Sequence, residues 1–372
     1  MSSINGLLMF IKDSYSGAFL VFWSLLVFVY LGIHFYANCN RKLSVKLEKV
    51  AFWVFGVLLV FFAASRPIGI ARDDPPYLEI FKSICPALTC NDFIQGSRDV
   101  IWYSIVGFFK SFVLDPRIML WIAACGLVVK LAVIFSITKR PLLVLVLYAG
   151  IYYQIQDLTA LRSSMSTAVF MLSIWLLVRH HTYWSAIMFS VCGLFHKQGF
   201  VAPLILVGFP LQRRPFVFFM TCFTPIGLLV FSIYPDISKL LIAAGQLVGQ
   251  SLVAHGLDAH IESKTLGVYT GWRSFPMVVV PQLLFVFWLL LGKTNECNRL
   301  LKLLCGCMAM ACMFLWAFAS LPEAQNRFFD FFMLPTILLV GLRSLSIIEV
   351  GGVIAVSGVY VLKYNVLHNL LI

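Results

Sequence analysis

The sequence predicts an all-α fold, a polytopic bundle of about twelve hydrophobic helices spanning a bilayer. Three observations predict it. Hydrophobic residues fill 61% of the 372 positions. Charged residues fill only 12%, against roughly 25% in a soluble domain, and the mean hydropathy is +0.92. Runs such as Phe19 to Phe35 and Phe275 to Leu291 approach the roughly 20 apolar residues a helix needs to cross a hydrocarbon core. Lipid offers nothing to open backbone groups, so such runs are helices.

Taken in order, the hydrophobic runs predict spans over 17–37, 48–65, 118–138, 141–156, 163–178, 183–195, 199–211, 215–233, 275–292, 300–320, 328–343 and 347–366. The connecting loops alternate in basic content. Arg41, Lys42, Lys46 and Lys49 mark the first loop, Lys139 and Arg140 the third, and Arg179 the fifth. Arg213 and Arg214 mark the seventh, Lys293, Arg299 and Lys302 the ninth, and Arg343 the eleventh. These loops are short and basic, which places them in the cytoplasm. Acidic residues gather on the other side, among them Asp73, Asp74, Asp92, Asp99, Asp157, Asp236, Asp258, Glu262 and Glu323.

The alternation requires that Ile101 to Val113 does not cross. That stretch is short and carries Lys110, which predicts an interfacial or re-entrant helix. The chain therefore reads as a single membrane domain, 1–372, with an external segment over 66–117 that holds this helix and a second over 234–274. Segments of that length in compact proteins usually carry function.

The net charge of +12 does not indicate nucleic acid, because the basic residues sit between hydrophobic runs, where topology explains them. Met1 to Ser16 lacks the layout of a cleavable leader, so the first helix reads as an uncleaved anchor. Cys85 and Cys90, in Cys-Pro-Ala-Leu-Thr-Cys on the external side, suit a disulfide in an oxidising compartment. The remaining cysteines read as small apolar fillers.

Charge on the external face carries the chemistry. Arg162 opens the span at 163 and Arg327 opens the span at 328, each a cation beside the partly positive end of a helix, which is unfavourable unless an anion intervenes. Helix N-terminal amides and an arginine fork together suit phosphate oxygens. The competing reading has these arginines snorkel to headgroups or pair locally, Arg162 with Asp157 and Arg327 with Asp330. Arg66, Arg72, Asp73 and Asp74 lie in a Gly- and Pro-bearing segment just after the second span, near the membrane surface. His196 closes the span ending at 195, where an imidazole could take a proton from a sugar hydroxyl or simply cap helix carbonyls. His180 and His181 fall on the cytoplasmic side.

These residues match a pattern. Arg66, Gly69, Arg72, Asp73-Asp74, Tyr77 and Phe81, then Leu161-Arg162 and Ala168, then Leu194-Phe195-His196, then Arg327-Phe-Phe-Asp-Phe-Phe332 resemble the EpsG-like family of polysaccharide polymerases, which are similar to Wzy-type O-antigen polymerases. The sequence departs from the family at Ser163, Lys197-Gln198 and Phe328.

The resemblance implies a GT-C-like glycosyltransferase of the bacterial inner membrane with its site facing the periplasm. Such an enzyme moves a growing glycan from undecaprenyl diphosphate to the non-reducing end of a new lipid-linked repeat unit, for O-antigen, lipopolysaccharide or other polysaccharide biosynthesis. Its partners are that lipid-linked oligosaccharide, membrane lipids and a chain-length regulator protein. A departing diphosphate needs cations at helix ends on one face, so Arg162 and Arg327 are expected as clamps. Arg66 and Arg72 support them, with Asp74 and Tyr77 also on the substrate side. His196 is the expected base and Asp73 the second choice. No cofactor and no metal site are expected. A flippase for the same lipid-linked oligosaccharide is the rival, but it predicts charge deep in the spans, where Lys130 alone stands. An acyltransferase would need a cytoplasmic donor site that the sequence does not display.

Overall fold

A computed structural model of the chain describes residues 2–37, 39–71, 73–84, 99–207, 298–317, 322–342 and 345–362. The secondary structure of the described residues is all helical, without strands. They fall into two compact units, Met1–Phe200 with Val340–Ile372, and Val201–Leu339.

The first unit begins with α1 (Ser2–Tyr36) and α2 (Arg41–Ser65). Asn40 caps α2, its side chain accepting from the Leu43 amide at 3.1 Å, which satisfies one of the orphan donors of a helix start. Both helices leave large apolar side chains uncovered, such as Phe28, Val57 and Phe61, as a lipid-facing surface would. The chain then forms α3 (Asp74–Ser83) and α4 (Val100–Lys110), followed by α5 (Ile118–Ile137). Two prolines in the first turn of α3 lie where no backbone donor is needed.

The predicted span at 141–156 is one continuous helix that changes type, α6 (Pro141–Tyr148) running into a π-helical segment, Ala149–Asp157. Then come α7 (Leu161–Val178), α8 (Thr182–Phe195) and a 3-10 turn, Lys197–Val201. After this turn come α9 (Leu204–Val207), α10 (Asn298–Ala317), α11 (Pro322–Met333), α12 (Leu338–Leu342) and α13 (Ile347–Leu362).

Four helices among the described residues are long and apolar enough to cross a membrane: Tyr15–Tyr36 of α1, α2, α5 and α7; α4, α8 and α13 are shorter apolar helices. The predicted spans at 215–233 and 275–292, the external segment 234–274, Cys85 and Cys90 lie outside the described residues. The run at 328–343 is not the continuous span that hydropathy predicts. A 3-10 turn, Leu334–Ile337, separates α11 from α12, because Pro335 has no amide to donate and its ring crowds the preceding turn.

The short helices α3 and α4 are packed down onto the bundle. Tyr77 and Phe81 of α3, Trp102 and Val106 of α4, Met119 and Leu120 of α5, Leu161 of α7 and Phe195 of α8 form one buried apolar cluster. Lys110 at the end of α4 ties α3 in place. Its ammonium donates to the carbonyls of Phe81 at 2.5 Å and Ile84 at 2.6 Å, the favourable arrangement of a cation at a helix C-terminus. α4 is thus a short element seated on α5 and α8, with Phe108, Phe112 and Leu114 exposed at its far end.

Candidate functional site

Seating α3 and α4 on the bundle brings together residues far apart in the chain. The α7 start places Arg162 in its first turn. The end of α8 delivers His196, where the backbone turns extended (φ −159°, ψ 135°). Gly199 secures that turn: a β-carbon there would collide with the Cys192 carbonyl and lie 2.6 Å from Ser166 Oγ, so the chain after His196 can fold tightly back only with glycine. Asp99 stands at the head of α4 and Tyr103 one turn later, its amide donating to the Asp99 carbonyl at 3.1 Å.

Arg162 Nη1 donates to Asp99 Oδ2 at 2.6 Å and to the Tyr103 hydroxyl at 3.3 Å. Its backbone amide donates to the Tyr77 hydroxyl at 3.4 Å, and its guanidinium lies 5.4 Å from the centre of the Tyr77 ring. The other Asp99 oxygen, Oδ1, is 3.6 Å from His196 Nδ1, an ion-pair distance longer than a hydrogen bond. One buried carboxylate therefore stands between an arginine and a histidine. Arg162 keeps a quarter of its side chain exposed, and its Nε has no hydrogen-bond partner among the described residues.

Burial by itself would raise the Asp99 carboxyl, but His196 and Arg162 outweigh it and hold it below its ordinary value of 3.8. Burial pushes the Tyr77 and Tyr103 hydroxyls up, against the pull of Arg162, so both stay protonated and able to donate. The depressed acid has a stability consequence. Its contribution is complete above the ordinary value of 3.8 and is lost as pH falls through the lower folded value. In detergent, acidification from about pH 5 to about pH 3 should lower the melting temperature of the wild type more than that of Asp99→Asn, which has no carboxylate to protonate. Equal acid sensitivity of the two proteins would contradict the assignment.

Arg66 and Asp74 are turned on each other. Arg66 Nη1 and Nη2 donate to the two oxygens of Asp74 at 2.5 and 2.6 Å, with both side chains buried. The amides of Gly69 and Ala71 add bonds of 2.8 and 3.0 Å to Oδ2. This closes the loop ahead of α3, which Gly69 traverses at φ +105°, a backbone conformation that favours glycine. Asp73 is a partly buried residue at the N-cap of α3, and Arg72 lies outside the described residues.

The expectation that Arg327 opens a helix is corrected. α11 begins at Pro322, so Arg327 lies in its second turn and the helix-end argument applies to Arg162 alone. Arg327 belongs to the second unit. The local pairing of Arg162 with Asp157 is also corrected, since Arg162 bonds Asp99 and Asp157 bonds Lys130 at 2.8 Å. Among the described residues no group of His, Cys, Asp or Glu could hold a metal ion. Sequence reasoning placed Asp99 among the external acids but gave it no role. The available signal was its position ahead of a short apolar helix, with Tyr103 four residues on and so on the same face.

A model of the EpsG family matches residues 49–362. The chain belongs to the EpsG family. This is a family of membrane proteins resembling polysaccharide polymerases, glycosyltransferase-like in kind. Neither a curated protein nor a solved structure matches it. The matched range contains every residue of the cluster just described, Tyr77, Asp99, Tyr103, Arg162 and His196.

Proposed function

We propose that this EpsG-family protein is a polysaccharide polymerase. It transfers a growing glycan from undecaprenyl diphosphate to the non-reducing end of a new lipid-linked repeat unit, at the periplasmic face of the bacterial inner membrane. The observation that carries the reading is the Arg162–Asp99–His196 cluster at one end of the bundle. In the transfer, the acceptor hydroxyl oxygen attacks the anomeric carbon as the bond from that carbon to the diphosphate breaks. The electron pair leaves with the lipid diphosphate, and the hydroxyl proton passes to His196.

Arg162 supplies the charge for the leaving group. One nitrogen is fixed on Asp99, while Nε remains a donor without a described partner, and the fork suits phosphate oxygens. Asp99 orients the imidazole and favours its protonated form during the transfer. Asp73 is the alternative base. Arg327 and Arg72 are further candidates for the diphosphate or the incoming repeat unit, and Tyr77 supports Arg162 from below. Arg66 and Asp74 contribute by holding the loop that carries Asp73 and α3. A GT-C-like arrangement and a chain-length regulator as partner belong to the same proposal.

Purified protein given a defined undecaprenyl-diphosphate-linked repeat unit should build a ladder of polymer, and His196→Ala should build none while inserting normally. Movement of the repeat unit across vesicles without any polymer would establish the flippase instead.

A further inference from the structure

A second charged cluster lies inside the bundle, and the reaction just proposed does not use it. Lys130 on α5 and Asp157 at the end of the π-helical segment form an ion pair of 2.8 Å with side-chain exposures of 0% and 2%. The Lys130 ammonium also donates to Ser164 Oγ at 3.0 Å, and that hydroxyl donates to Asp157 Oδ1 at 2.5 Å. Tyr148 donates its hydroxyl to the remaining Asp157 oxygen, and the ammonium lies 5.9 Å from the centre of the Tyr148 ring. Three helical elements, α5, the α6–π helix and α7, thus converge on one carboxylate.

Desolvating both charges is costly, and well-packed apolar residues usually serve stability as well or better. The π-helical segment is also an uncommon form, frequently found at functional sites. Burying such a pair is a weak way to add stability, and its location points to another use. Asp157 is the last residue before the connection to α7, and Ser164 follows two residues after Arg162. The cluster grips the chain on both sides of Arg162 and ties it to α5.

We propose that the Lys130–Asp157 pair is a positioning device. It sets the register of the α7 start, so that the Arg162 fork meets Asp99 on one side and a polyprenyl diphosphate on the other. The inference rests on Arg162 as a diphosphate contact. Neither Lys130 nor Asp157 touches substrate; both act through the arginine.

The test is a binding cycle with undecaprenyl diphosphate on the purified full-length protein in nanodiscs. Arg162→Ala and the apolar pair Lys130→Met/Asp157→Leu should each weaken binding about tenfold, while the combined variant binds no worse than Arg162→Ala alone, because groups acting through one residue are not additive. A merely structural role would give losses that multiply. That result, or wild-type affinity in a folded Lys130→Met/Asp157→Leu protein, overturns the inference. Should the apolar pair fail to insert, Asp157→Asn, close to aspartate in size, goes through the same cycle with the same criteria. The parent reading fails differently. Wild-type protein that binds the lipid but makes no polymer removes the polymerase and leaves the positioning role to the cycle. Wild-type protein that does not bind removes both.

Discussion

Arg162→Ala should reduce polymer formation by roughly 10²–10³-fold, the usual cost of removing a preorganised donor from a developing charge. The protein should still reach the membrane at close to normal level. Arg162 stands at the first turn of α7, partly exposed, with Asp99 at 2.6 Å fixing one of its nitrogens. That carboxylate preorients the guanidinium, so little side-chain freedom remains to be lost when phosphate arrives.

Arg162→Lys should recover only part of the activity, because an ammonium keeps the charge but cannot bond Asp99 and a phosphate in one plane. Polymer length on gels and initial rates with purified protein check both variants. A full-length ladder from Arg162→Ala would end the clamp assignment.

Asp74→Ala should be strongly destabilising, costing about 3–5 kcal/mol, as when one partner of a buried ion pair is removed. The variant leaves the Arg66 guanidinium buried without its counter-charge and strips the Gly69 and Ala71 amides of their acceptor. The loop that carries α3 would open, and with it the packing of Tyr77 under Arg162. Thermal unfolding in detergent measures the loss. Replacing both partners, Arg66→Met with Asp74→Leu, should be milder than Asp74→Ala, since no uncompensated charge remains. A double variant as unstable as the single one would mean that the loop amides, and not the ion pair, dominate.

Much of the architecture was legible in hydropathy alone. The helices α1, α2, α5, α7, α8 and α13 fall within a few residues of the predicted spans, apart from the longer starts of α1 and α2. Short length also set α4 apart from the long spans, an 11-residue helix that ends on Lys110. Hydropathy failed at 328–343, where it averages over Pro335 and does not register a broken helix. The π-helical widening at Ala149–Asp157 was equally silent, since one extra residue per turn barely changes a hydrophobic run. Within the site, Arg162 and His196 were singled out by their place at span ends. Asp99 was not, because a lone acid ahead of an apolar stretch is indistinguishable from a solvated loop residue until its partners are known.

Composition and hydropathy fixed a helical membrane protein, because transfer free energy is a property of each segment's own side chains. Only the tertiary structure decided which charge meets which. Asp99 finds Arg162 across 63 residues, Lys130 finds Asp157 across 27, and Arg66 closes on Asp74. A charge that leaves water must take whatever opposite charge the packing brings within about 3 Å, and that choice is made by helix positions in space and not by spacing along the chain.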